Sequence, residues 1–201
     1  DFYRLQPQGG TGKKGANIQE DDSVAMLCVT NTHRDLYFFT NLGRIMSLKG
    51  HEIPEARSGK GRPVYKLLPL AVDLGEKIVN IASSGNTEWR FAFFITRLGQ
   101  AKRLTFEDLK YTNRAKRVMS IQEGDEIAQV CLTTGKDDLL IVTRHGQALR
   151  VSENEFRAMG RTAKGVMAIV LKNDDKVLSC DVVNDSHKIL VISKYGIGKR
   201  L

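Results

Sequence analysis

Four times along this chain a short, strongly apolar run leads into a turn that closes on glycine. The copies are Leu36-Tyr37-Phe38-Phe39-Thr40-Asn41-Leu42-Gly43, Phe91-Ala92-Phe93-Phe94-Ile95-Thr96-Arg97-Leu98-Gly99, Leu139-Leu140-Ile141-Val142-Thr143-Arg144-His145-Gly146 and Ile189-Leu190-Val191-Ile192-Ser193-Lys194-Tyr195-Gly196. Their glycines stand 56, 47 and 50 residues apart. A period of this size belongs to solenoids, propellers or arrays of similar modules. One such unit cannot bury its own apolar face, so neighbours share a core and function falls on a surface common to several units.

The surroundings of each copy repeat as well. A first apolar run precedes it: Val24–Val29, Ile78–Ala82, Ile127–Leu132 and Val177–Val182. These runs are short and rich in β-branched residues, which predicts strands. The turn glycine supplies the positive φ of a tight hairpin. A third run then alternates apolar with basic or polar residues, as in Arg44–Lys49, Gln100–Leu104 and Gln147–Val151, which predicts strands with one buried and one wet face. A further short strand is expected at Val64–Leu68 and Val166–Leu171, and helical turns only near Thr105–Leu109 and Glu153–Arg157. Four short strands per repeat is the composition of a propeller blade. The expected fold is therefore all-β, a propeller-like disc of four-stranded blades with about four blades present. The expected organisation is a single domain over 1–201, with blades near 1–63, 64–118, 119–166 and 167–201.

The 201 residues carry 31 Lys and Arg against 23 Asp and Glu, a net charge of +8. That balance favours a polyanion as partner, nucleic acid or an acidic membrane surface, although a merely basic protein has the same sum. No apolar run approaches the ~20 residues of a membrane span, and no signal peptide stands at the start. A chain that begins without Met and stops beside a strand reads as a piece of something larger. Cys28, Cys131 and Cys180 precede repeat glycines by 15, 15 and 16 residues. Equivalent positions in different units neither converge on a metal nor pair easily, so the cysteines read as small buried hydrophobes in a reducing compartment.

The loop before the last strand of each unit is the second recurring feature. It reads Arg57-Ser58-Gly59-Lys60-Gly61-Arg62, Asn113-Arg114-Ala115-Lys116-Arg117 and Arg161-Thr162-Ala163-Lys164-Gly165, with Gly9-Gly10-Thr11-Gly12-Lys13-Lys14-Gly15 in the matching place at the start. Glycine lets backbone N–H groups approach a phosphate, and Lys and Arg neutralise it. The G-x-G-x-x-G match at Gly10–Gly15 has no strand before it and no helix after it, which excludes a dinucleotide fingerprint; Ala16 excludes a Walker A loop. His33, His51, His145 and His187 lie in separate loops without ligand spacing, and Trp89 reads as packing. The acid pairs Asp21-Asp22, Asp137-Asp138 and Asp174-Asp175 read as loop residues, not as a catalytic dyad.

These strings resemble a known family. Glu20-Asp21-Asp22, Thr30-Asn31-Thr32-His33, Leu36–Arg44, Glu52–Pro63 with Leu67-Leu68-Pro69-Leu70, Arg157–Val166 and Tyr195–Arg200 are similar to the C-terminal domain of the DNA gyrase A subunit. The resemblance implies a β-pinwheel with a basic perimeter around which double-stranded DNA wraps. The family's box, Gln-Arg-Arg-Gly-Gly-Lys-Gly, falls on Gln6, Pro7, Gln8, Gly9, Gly10, Thr11 and Gly12, which keep the glutamine and the glycines but not the cations. Lys13 and Lys14 follow directly. This departure leaves open a domain of the kind carried by the topoisomerase IV A subunit.

The residues expected to meet DNA are Gln6, Gln8, Gly9, Gly10, Gly12, Lys13 and Lys14 at the start. Along the later loops and edges they are Arg57, Lys60, Arg62, Lys102, Arg103, Arg114, Lys116, Arg117, Arg150, Arg161 and Lys164. The resemblance further implies that the segment catalyses nothing by itself and holds no cofactor or metal. ATP and Mg would serve the whole enzyme, an A2B2 assembly with the rest of the gyrase A subunit and the B subunit, in the cytoplasm beside the nucleoid and not at a membrane. Two rival classes are a protein-interaction propeller and an enzyme built on a propeller; the latter needs convergent acids or histidines, which the sequence lacks.

Overall fold

The computed structural model describes residues 7–10, 23–56, 61–85, 88–109 and 115–200. Among them every regular element is a strand or a short 3₁₀ turn. The strands are β1 (Asp35–Thr40), β2 (Arg44–Lys49), β3 (Ile78–Ser83), β4 (Phe91–Thr96), β5 (Gln100–Thr105), β6 (Lys116–Arg117) and β7 (Ile127–Thr133). They continue with β8 (Asp138–Thr143), β9 (Ala148–Ser152), β10 (Val166–Met167), β11 (Val177–Val183), β12 (Leu190–Ile192) and β13 (Gly198–Arg200).

The four repeated signals are the hairpins β1–β2, β4–β5, β8–β9 and β12–β13. Each turn glycine has positive φ: 70° at Gly43, 88° at Gly99, 83° at Gly146 and 81° at Gly196. The residue three before it, Thr40, Thr96, Thr143 or Ser193, accepts the glycine N–H on its carbonyl at 2.9–3.1 Å. Its hydroxyl then accepts the N–H of the residue after the glycine at 3.1–3.3 Å. A hydroxyl-bearing residue thus closes every hairpin from within.

The sheets run out of phase with the sequence repeat. Their orders are β3-β1-β2-β6, β10-β5-β4-β7, β11-β8-β9 and β12-β13. The first run of each repeat pairs with the signal strand of the repeat before it: Ile81 stands opposite Phe38, Cys131 opposite Phe93 and Cys180 opposite Ile141. The expected blade segments 1–63, 64–118 and 119–166 therefore each exchange strands with the next. A hairpin fixes its own two strands by a short turn, while the outer strands arrive by long connections whose pairing the local sequence does not dictate. Residues 24–29, expected as a strand, form none and are exposed, with Leu27 at 88%; no signal hairpin precedes them among the described residues to receive them. The segment at Val64–Lys66 is a 3₁₀ turn, not a strand.

The described residues fall into two compact units. One takes in those of Asp1–Thr87 and Tyr111–Arg117, the other those of Glu88–Lys110 and Val118–Leu201. The core of the first is Leu36, Phe38, Met46 and Leu68. The second is built on Phe93, Ile95, Ile141, Phe156 and Val177, with Phe93 edge-on to Phe156 at 4.9 Å between ring centres. Burying each such side chain contributes about 1.5–3 kcal/mol. Cys131 and Cys180 lie in this core, and the Cys131 thiol donates to the Cys180 carbonyl at 3.0 Å. Equivalent positions thus do converge, because β7 and β11 pack together. Cys28, read as a buried hydrophobe, is exposed along with its whole segment.

Candidate nucleic-acid interface

At three of the four hairpin turns the next repeat sends acids to the turn. Thr40 donates to Glu76 at 2.7 Å, and Glu76 also accepts the Ala71 N–H at 2.7 Å and pairs with Arg44 at 3.2 Å. Asp125 accepts the N–H groups of Leu98 and Glu126 at 3.1 and 2.8 Å, while Glu126 holds Arg97 at 2.6 Å. Asp175 accepts the N–H groups of His145 and Lys176 at 3.0 and 2.8 Å, while Asp174 holds Arg144 at 3.3 Å. Burial acts to raise the Asp175 carboxyl, but the Thr143 hydroxyl, those two amides and the nearby His145 outweigh it and hold it below the usual carboxylate range. Glu76 and Asp125 were not singled out in the sequence. The signal was there: an acid stands just before each first run, in Glu76-Lys77-Ile78, Asp125-Glu126-Ile127 and Asp175-Lys176-Val177.

The cations of the other recurring loop are different. Arg62, Arg117, Arg161 and Lys164 are exposed and Lys116 is half-buried. Among the described residues none of these five meets a carboxylate. Lys116 and Arg117 form β6 on the edge of β2, opposite Ile45 and Arg44. Arg161 and Lys164 stand in the turn 160–165, where the Ala163 N–H donates to Gly160 O at 3.2 Å. Gly165 closes that turn with φ 93°, and a Cβ there would lie 2.5 Å from the Ala101 carbonyl oxygen, so the chain passes closer to β5 than a side chain allows. Gln8, Gly9 and Gly10 sit in an exposed turn in which the Gly10 N–H donates to Pro7 O at 3.1 Å. Gln6, Gly12, Lys13, Lys14, Arg57, Lys60 and Arg114 lie outside the described residues.

Three expected contacts are corrected. Lys102 is fully buried, and its ammonium donates to the carbonyls of Val118, Arg161 and Ala163 at 2.6, 2.8 and 3.1 Å. Arg103 is buried against Glu153 at 3.4 Å and Asn154 at 3.0 Å, with its guanidinium 4.4 Å over the Phe91 ring. Alternation does put these neighbours on opposite faces of β5, but both faces are covered, so neither is wet. Arg150 is exposed yet bound on both sides, to Asp138 and Asp185, each at 2.7 Å, and these carboxylates raise its pKa, Asp185 foremost.

A groove of about 550 Å³ lies along β9, lined by Thr143, His145, Leu149, Ile169 and Asp175 among others. Its one strongly held acid, Asp175, is committed to the turn. Among the described residues no group of three or more His, Cys, Asp or Glu could hold a metal ion, and no helix is long and apolar enough to cross a membrane.

The sequence pattern described as "DNA gyrase C-terminal domain, beta-propeller" matches residues 3–30, 34–84, 91–131 and 137–184, most of the chain. The chain belongs to this family. It is 49% identical over 199 residues to the DNA gyrase A subunit of Aminobacterium colombiense, covering 98% of this chain and 24% of that protein. With the DNA gyrase A subunit of Staphylococcus aureus it shares 39% over 202 residues, covering 98% and 23%. The chain thus spans about a quarter of the length of these relatives. Among solved structures, the C-terminal domain of a DNA topoisomerase IV superposes with a TM-score of 0.76 at 27% identity, over 86% of this chain and 54% of that one. A DNA gyrase A C-terminal domain superposes at 0.74 and 24% identity, over 98% and 64%, a likeness of fold. The gyrase family membership places the exchanged strands and repeated hairpins described above in a beta-propeller.

Proposed function

We propose that this chain binds, bends and wraps duplex DNA without reading its sequence, as the C-terminal segment of a DNA gyrase A subunit. The observation that carries this reading is the division of its cations. The arginines at three of the hairpin turns are held by acids of the next repeat, whereas Arg62, Lys116, Arg117, Arg161 and Lys164 meet no carboxylate among the described residues and stand in or beside the basic loops that recur along the chain. Phosphate contacts position a duplex but carry no sequence information. Bending ~20–30 bp through 40–90° costs on the order of 1–6 kcal/mol, which a row of such contacts offsets.

In the whole enzyme the wrap would present a DNA crossing to the cleavage core, and strand passage driven by ATP would add negative supercoils. The cleaving residues, the ATP site and its Mg belong to other segments and to the B subunit, so this segment needs no cofactor. Identity to the gyrase A subunit well above that to the topoisomerase IV domain supports the gyrase side of the family.

The test is affinity for duplexes of unrelated sequence across a salt series. The reading predicts indifference to sequence and a log–log slope that falls by about 0.9 for each loop cation replaced by alanine. A shallow slope unmoved by Arg117→Ala or Arg161→Ala would favour a protein-interaction propeller.

A further inference from the structure

Lys102 is the largest fully buried charged side chain among the described residues, and its three hydrogen bonds all go to backbone carbonyls of segments that bear exposed cations. Two of the three acceptors, Arg161 O and Ala163 O, belong to the turn 160–165, 59 and 61 residues away in sequence. The neighbouring β5 residue, Ala101, seats the end of the same turn through the close approach of Gly165. We propose that Lys102 is a positioning residue for DNA: its buried ammonium fixes the turn 160–165 and thereby sets where Arg161 and Lys164 stand to meet phosphates. The proposal rests on the duplex-binding reading and adds to it a residue that never touches the duplex.

An ammonium has three N–H donors and three carbonyls are present, so the cage is matched only while Lys102 is protonated. Burial lowers its pKa to about 8. The charged groups on the segments packed against it are Arg117, one residue before Val118, with Arg161 and Lys164, all cationic. Phe94 stands opposite on β4, and Arg103 with Glu153 lies on the other face of β5. Above pH 8 the neutral amine keeps two donors for three carbonyls and the turn is released. Global stability moves the other way. The folded pKa lies below the unfolded value of 10.5, so the unfolded chain binds more protons between about pH 8 and 10.5, and folding is favoured as pH rises through that window. The titration of Lys102 therefore does not itself unfold the chain, and the pair measured at pH 9 controls for the other groups that titrate there.

The experiment is the salt slope of duplex binding at pH 7 for the wild-type chain, Lys102→Met, the pair Arg161→Ala with Lys164→Ala, and all three together. The wild type and the pair are then repeated at pH 9. Lys102→Met is expected to lower the slope by up to about 1.8, two contacts' worth, and to add nothing on top of the pair. The wild type should lose the same amount at pH 9, while the pair should not change. Because the pH comparison uses a chain with Lys102 intact, it decides the matter even where Lys102→Met does not fold. Additive losses, or a pH response that survives in the pair, would overturn the positioning role and leave the duplex reading standing. A wild-type slope near zero would instead remove the duplex reading and this role with it.

Discussion

A carboxylate or an ammonium that looks alike in the sequence does one of two jobs here, and burial decides which. Glu153 is fully buried and accepts from Thr133 and from the Gly135 and Asp137 amides at 2.7–2.9 Å, holding the loop before β8. Lys102 and Arg103 read as surface cations because β5 alternates, yet alternation reports only which residues share a face, not whether that face is covered. The cysteines divide in the same way. The hydrogen bond with Cys131 and burial hold the Cys180 thiol far above its ordinary range. Brief maleimide treatment of the native chain should label Cys28 alone, with Cys131 and Cys180 reacting only in denaturant; mass spectrometry reads the sites, and native labelling of Cys180 would contradict the core assignment. Asp175, with its depressed pKa, stabilises the fold above the ordinary carboxylate pKa near 3.9, and that contribution is lost as pH falls through its lower folded value. Asp175→Asn should therefore lower the midpoint of urea unfolding at pH 7, and its deficit against wild type should shrink as pH falls below the ordinary carboxylate range.

At the scale of elements, the hairpins were legible because everything that makes them is local: an apolar run, a Thr or Ser, and a glycine three residues later. The exchange of β3, β7 and β11 into the preceding sheet was not, since it depends on pairings some 40 residues away that no short-range pattern encodes. Equivalent turns also sit in unequal surroundings. A Cβ at Gly99, φ 88°, would lie 2.5 Å from the Ile169 carbonyl oxygen, whereas one at Gly146, φ 83°, would meet nothing within 4 Å. Both substitutions by alanine incur the left-handed backbone cost of about 1–2 kcal/mol. Only Gly99→Ala must also displace backbone, so it should destabilise clearly more than Gly146→Ala. Chemical denaturation compares them directly, and equal losses would show that β10 and the residues after it do not cover the Gly99 turn.

For the molecule as a whole, the repeat, the excess of 8 positive charges and the basic loops pointed to a shared basic surface, and family membership supports the same reading. The candidate site was legible as a recurring loop but not as individual residues. Arg161 and Lys164 are exposed as expected, while Lys102, Arg103 and Arg150 are withdrawn into carbonyl, aromatic and carboxylate contacts that join distant parts of the chain. The central claim is that the basic loops act together to wrap a duplex and not merely to hold it. The most direct measurement is to bind the chain to relaxed circular DNA, treat the complex with a nicking-closing topoisomerase, remove the protein and read the linking number. Wrapping predicts a shift that grows with bound protein and shrinks when Arg117, Arg161 and Lys164 are replaced by alanine; tight binding with no shift in linking number would contradict it.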